Sequence, residues 1–168
     1  IAHERVQRGM GRPSYLYQLT AEGDEIFPRA YPQMTNSLLD ALVELDGEEG
    51  LNRLFEKRTE NLEAEYQDRM AGLSMEEAVN ELAKIRTEEG YMADWESLDD
   101  GSYLLMEHNC SICKIAEKCS QACTYELKLF QRVLAHAQVT REEHMIKGDR
   151  MCSYRIKPNK IKGSDNGK

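Results

Sequence analysis

The chain has no apolar run approaching the roughly 20 residues that a membrane-spanning helix needs. Nothing at its start has the basic, then apolar, then small-residue order of a secretory leader. Both absences predict a cytoplasmic protein with no membrane partner. A glycine-rich phosphate loop, an HExxH pair and any nucleophile-and-base signature are missing too. No βαβ pattern surrounds the cysteines, as it normally does around a redox CxxC. No enzyme and no catalytic residue is therefore expected. Internal repeats are absent, and the 5 cysteines are an odd number, which disfavours a disulfide framework in a chain without a secretory leader.

The 168 residues are 40% hydrophobic and 31% charged, a little short of apolar side chains for one compact globule. That predicts elongated, charged helices or a partly solvated module. The net charge of −8, from 22 Lys+Arg against 30 Asp+Glu, argues by itself against nucleic-acid binding. The charge is polarised, however. Arg5, Arg8 and Arg12 stand near the start against Glu4, and the acids concentrate from Glu44 to Asp100.

Hydrophobic periodicity orders the elements. Residues 3–20 read as a hairpin, with Gly9-Met10-Gly11-Arg12-Pro13 as its turn and Tyr15, Tyr17 and Leu19 alternating along the second strand. Thr20 is placed to cap a short helix. After a break at Tyr31-Pro32, a helix is predicted over 33–45 and a long one over 48–71, separated by Asp46-Gly47. The stripe Leu51, Phe55, Leu62, Tyr66 and Met70 on the long helix suggests a seam between subunits. Ser74 and Glu77 have the spacing of a capping box at the head of a helix ending near Gly90. Alternation then predicts a second hairpin, with Asp99-Asp100-Gly101 as its turn. A helix over 110–136, a strand over 139–146 and a strand over 151–156 complete an α+β fold. The lysine-rich tail 158–168 is expected to be disordered. The expected parts are 1–30, 31–90, 91–157 and 158–168.

The cysteines carry the chemistry. Their spacing is Cys110-x₂-Cys113-x₅-Cys119-x₃-Cys123-x₂₈-Cys152. A turn at Cys110 and Cys113 can face both sulfurs to one point. Cys119 and Cys123 share a helix face, and Cys152 returns to the same place if its strand pairs with 102–107. Thiolates gathered in this way suit zinc or an iron–sulfur cluster, and spacing does not separate the two; simple burial of free thiols is the plain alternative. His108 and His144 read as supporting or exposed groups before they read as ligands.

The segments Glu107-His108-Asn109-Cys110-Ser111-Ile112-Cys113, Cys123-Thr124-Tyr125-Glu126-Leu127-Lys128-Leu129-Phe130 and Glu143 to Ile156, through Gly148-Asp149-Arg150-Met151-Cys152, resemble the C-terminal half of SufR-type repressors. Arg8-Gly9-Met10-Gly11-Arg12-Pro13 resembles the wing of their winged helix-turn-helix. The resemblance implies a cluster-sensing repressor of iron–sulfur assembly genes, binding operator DNA as a homodimer through Arg8, Gly11 and Arg12. Its recognition helix would precede Ile1. It implies a [4Fe–4S] cluster on Cys110, Cys123 and Cys152, with Cys113 as fourth ligand or Cys119 in its place. The alternative expectation is a zinc-stabilised winged-helix regulator responding to a small ligand. The body would be a helical dimerisation region followed by a C-terminal antiparallel sheet with a cysteine-bearing helix.

Overall fold

A computed structural model describes residues 1–7, 12–24, 26 and 30–159. The chain divides into two units, Ile1–Met34 and Thr35–Lys168.

In the first unit β1 (Ala2–Val6) and β2 (Ser14–Gln18) form an antiparallel ribbon, with His3 opposite Tyr17 and Arg5 opposite Tyr15. The His3 ring packs edge-on to Tyr15 at 5.4 Å and tilted against Tyr17 at 5.7 Å. Tyr15, Leu16 and Tyr17 are nonetheless exposed. Such cross-strand pairs are the main stabilisation open to an isolated ribbon, which is marginal in water. A four-residue helix α1 (Ala21–Asp24) follows, and Gly23 N–H donates to Thr20 Oγ1 at 3.2 Å. The antiparallel pairing and the short helix after Thr20 are the hairpin and capped helix read from the sequence. Arg8 and Gly11 lie outside the described residues, and Arg12 is exposed.

The long helix α2 (Tyr31–Met70) opens with Pro32 in its first turn. A proline is tolerated there because the first-turn N–H groups have no helical partner, so Tyr31-Pro32 starts the helix where a break was predicted. At Gly47 the backbone leaves the helix (φ 67°, ψ −172°), and α2 is two helices joined at the predicted Asp46-Gly47 break. This positive φ strains any residue with a Cβ.

The capping box of α3 (Met75–Glu88) forms as its spacing requires. Glu77 Oε2 accepts the Ser74 N–H at 2.8 Å, and Glu77 N–H donates to Ser74 Oγ at 3.4 Å. The expected helix over 110–136 is instead α4 (Cys113–Ala116) and α5 (Gln121–Val133). Residues 117–120 turn between them, where Cys119 is buried among Leu51, Phe55, Ala122 and Tyr125. Ser120, a residue whose hydroxyl competes for backbone groups and disfavours helix interiors, sits at the restart.

Strands β3 (Ala93–Ser97), β4 (Tyr103–Glu107), β5 (Ala137–Glu143) and β6 (Cys152–Pro158) form one antiparallel sheet in the order β3-β4-β6-β5. Cys152 pairs with Glu107, the register the sequence asked of it. A bulge between Arg141 and Glu143 interrupts β5. A 3-10 turn, Met145–Lys147, leads on to β6.

One face of the sheet is the core. Leu105, Val139, Cys152, Tyr154 and Ile156 meet α2 at Tyr66 and Met70, α3 at Val79 and Leu82, and α5 at Leu129 and Phe130. The α2 stripe is thus spent inside the chain: Tyr66 and Met70 join this core, and Leu51 and Phe55 join a second cluster with Tyr125. It is not the intersubunit seam the sequence suggested. Thr59 on the same helix is buried too, its hydroxyl donating to the Phe55 carbonyl at 2.9 Å.

Phe130 is fully buried and meets Tyr154 edge-on, with ring centroids 4.8 Å apart. Phe130→Ala removes that contact and opens a cavity, a change that costs about 3–5 kcal/mol. Equilibrium denaturation is the check, and a loss under ~1 kcal/mol would show that this core is loosely packed.

Candidate functional site

The apolar face of α3 carries Val79, Leu82 and Ala83, and one turn on from Leu82 it places Arg86, which is 3% exposed. A buried guanidinium must find anionic acceptors. Arg86 Nε donates to Glu107 Oε1 at 2.6 Å and Nη1 to Glu89 Oε2 at 2.8 Å. Nη2 donates to Glu126 Oε1. The guanidinium carbon lies 3.4 Å from the centre of the Tyr91 ring. The second oxygen of Glu126 accepts from the Tyr154 hydroxyl at 2.9 Å and lies 3.7 Å from Arg141 Nη2. Helices α3 and α5 and strands β4, β5 and β6 meet at this cluster. Three carboxylates face two guanidiniums in it, and burial pushes Glu107 up to about 7, with Arg86 pulling the other way and Glu126 pushing up again. None of these residues was singled out from the sequence. The available signal was a charge on an apolar face: Arg86 four residues after Leu82, and Glu126 between Ala122 and Leu129.

The cysteines cluster at one end of the same sheet. Cys152 opens β6 beside the last residue of β4, Cys110 lies just beyond that strand, and Cys123 is in the first turn of α5. Cys123 and Cys152 are buried and Cys110 half-buried, all as free thiols. Burial drives each thiol up, Cys110 to about 12 and Cys123 to about 11, and Glu126 adds to both; Cys152 is raised by burial too. Cys152, once ionised, would raise Cys110 and Cys123 further. The Met145 N–H donates to Cys152 Sγ at 3.5 Å.

The remaining two cysteines turn elsewhere. Cys113 donates to Glu117 Oε1 at 3.4 Å. Cys119 donates to Gln121 Oε1 at 3.4 Å and lines a polar cleft with Asp40, Glu48 and Lys118. His108 is paired with Asp94 at 3.1 Å. His144 Nε2 is buried without a hydrogen-bond partner among the described residues, and burial lowers its pKa. No group of three or more His, Cys, Asp or Glu among the described residues is drawn together as a metal-ion site.

Between α2, α4 and α5 lies a cavity of about 220 Å³. Its walls are Leu39, Phe55, Ile112, Ile115, Ala122 and Leu129. Arg86, Tyr91 and Glu126 bring the buried charge cluster to one side of it, and Thr35 and Arg58 also border it. The cavity had no signature in the sequence, because helices distant along the chain build it.

No profile of a known protein family matches the chain, and no curated protein matches it. The fold defines a mixed α+β protein with helices and two antiparallel sheets. It is similar to the crystal structure of trafficking protein particle complex subunit 3 from Naegleria fowleri covalently bound to palmitic acid, with a TM-score of 0.51 and 14% identity over 80% of this chain and 98% of that one.

That likeness corrects the repressor reading. A chain whose fold matches a trafficking-complex subunit over four-fifths of its length is not thereby a SufR-type winged-helix repressor, and the expected operator-DNA partner falls with it. So do cluster-sensing regulation, whose ligand set is not assembled as a metal site among the described residues, and the operator-binding homodimer that the resemblance implied. The zinc-stabilised winged-helix alternative falls on the same likeness. No helix among the described residues is long and apolar enough to cross a membrane.

The raised Glu107 has a measurable consequence. The folded protein keeps a proton there that the unfolded chain releases near the ordinary glutamate value, about 4.3. This group's contribution to stability is therefore full below that value and is lost as the pH rises through about 7. Urea unfolding from about pH 4 to pH 7 should show stability falling and then levelling off above about 7, and Glu107→Gln should flatten the fall. An unchanged slope in the variant would assign it to another group.

Proposed function

We propose that the chain is a non-enzymatic binding module that holds an apolar molecule in the cavity between α2, α4 and α5 and works against other protein chains. The cavity carries the reading: apolar side chains of α2, α4 and α5, with Ile112 just before α4, line about 220 Å³, and a concave apolar site with a few polar groups is the usual form of a small-molecule site. The similar trafficking-particle subunit supports it twice, since that protein is a subunit of a larger complex and is bound to palmitic acid, an apolar chain. Buried thiols with raised pKa values are poor nucleophiles at neutral pH, which favours binding over catalysis. Five unpaired cysteines suit a reducing compartment such as the cytoplasm.

A second reading concerns Cys110, Cys123 and Cys152. These three cysteines, on β6, on α5 and just after β4, have the donor chemistry of a thiophilic centre, either a [4Fe–4S] cluster or zinc. Cys113 and Cys119 fit less well as a fourth ligand, because each is turned to another partner. Such a centre would crosslink β6, α5 and the segment after β4. Its ligands must lose protons that burial holds tightly, so uptake strengthens as pH rises.

Binding of the neutral dye Nile red tests the first reading. The wild-type chain should bind it with a blue-shifted emission, and Leu39→Trp, at a half-buried wall position, should weaken binding about tenfold, roughly 1.4 kcal/mol. Equal binding by both proteins would place the dye elsewhere. Iron, sulfide and zinc assays on anaerobically purified protein test the second. One zinc, or about four irons with four sulfides per chain, supports it, and a chain still metal-free after reconstitution rejects it.

A further inference from the structure

One charged side chain at the cavity, Arg58, enters none of the ion pairs among the described residues, and it selects the ligand. Arg86, Tyr91 and Glu126 border the cavity but have little left to offer. The three guanidinium nitrogens of Arg86 already donate to Glu107, Glu89 and Glu126, and both oxygens of Glu126 are taken, by Arg86 and by the Tyr154 hydroxyl. A ligand's polar group buried beside them would leave its own hydrogen bonds unmade. An anion there would also face the three carboxylates Glu89, Glu107 and Glu126 against Arg86 and Arg141. The charged side of the cavity therefore disfavours an anion, and the apolar walls favour hydrocarbon.

Arg58 differs from the other cations of its helix. Arg53 is paired with Asp46 at 3.1 Å, Lys57 with Glu60 at 2.8 Å and Arg69 with Glu81 at 2.6 Å. Arg58 borders the cavity, is exposed, and enters none of the ion pairs among the described residues. Its exposure puts it where the cavity meets solvent. A guanidinium presents a planar fork of donors matched to a carboxylate. The cavity volume, about 220 Å³, is below the roughly 300–1,000 Å³ of most small-molecule sites, so a medium-length chain fits and a long one would protrude.

We infer that the cavity takes a medium-chain monocarboxylate, with its hydrocarbon against Phe55, Ile112, Ile115 and Leu129 and its carboxylate on Arg58. The inference rests on reading the cavity as an apolar-ligand site and adds the head group, its position and the chain length. Palmitic acid in the similar subunit is covalently bound; here the carboxylate stays free and the complex is reversible.

Displacement of Nile red from the full chain by decanoate, methyl decanoate and decylamine is the test, repeated with Arg58→Gln and Arg58→Lys. Arg58 is exposed, so neither variant disturbs the core. Decanoate should displace the dye at least tenfold more effectively than its methyl ester or the amine. Arg58→Gln should remove that advantage and leave the ester unchanged, and Arg58→Lys should retain part of it. If the ester or the amine competes as well as decanoate, or Arg58→Gln binds decanoate like the wild type, the carboxylate assignment is wrong while dye binding still supports the cavity. If neither dye nor decanoate binds, the cavity reading fails and this inference fails with it.

Discussion

Arg86 is the constraint on which the second unit depends. Its guanidinium is almost wholly buried, and a buried charge without partners costs several kcal/mol. Its partners come from different places: Glu89 just beyond its own helix, Glu107 at the end of β4 and Glu126 on α5. Replacing such a cluster by well-packed apolar residues is often neutral for stability. Its structural effect here is selective. A slip of β4 by one residue would turn Glu107 to the other face of the sheet, and a rotation of α5 would withdraw Glu126. Either error strands the guanidinium, so the cluster favours one register of sheet and helices over its neighbours. Cys152 lies opposite Glu107, and the same register therefore fixes where the thiols meet.

Much of this fold was legible because it follows local rules. The capping box at Ser74, the Asp46-Gly47 break, the hairpin turn at Gly101 and the pairing of Cys152 with the strand before Cys110 each rest on a few neighbouring residues or on period-two alternation. The failures are equally specific. Residues 110–136 keep a helical period across a turn that only the burial of Cys119 against α2 explains. The α2 stripe had the right residues, but periodicity does not say whether a stripe faces its own chain or another, and here it faces β6, α3 and α5. The charge cluster and the cavity were missed because pattern reading treats charged residues as surface. The exceptions lie at Arg86 and Glu126, each in step with leucine or alanine neighbours on an apolar face.

The SufR resemblance rested on the wing-like block Arg8 to Pro13 and on blocks around Cys110, Cys123 and Cys152, and the cysteine blocks carried its cofactor. Those blocks coincide with the parts of the sequence that the fold itself constrains: the end of β4, the first turn of α5 and the start of β6. Glu107, Glu126 and Tyr154, all inside them, belong to the Arg86 cluster. A match over such positions reports shared packing as readily as shared chemistry. Folds host many functions, and function has to be argued from the site.

The cavity and the thiols lie on two sides of one short stretch of chain. Ile112, Ile115 and Ala122 line the cavity, and Cys110 and Cys123 flank that same stretch. Between them, α4 is a single turn of helix, held to α2 by the Asn36 side chain donating to the Lys114 carbonyl at 3.0 Å and by the ion pair of Lys118 with Asp40. An element this short has little stability of its own, and its position is set by what it packs against. Hydrocarbon filling the cavity would add contacts to Ile112 and Ile115 and bring α4 closer to a fixed arrangement.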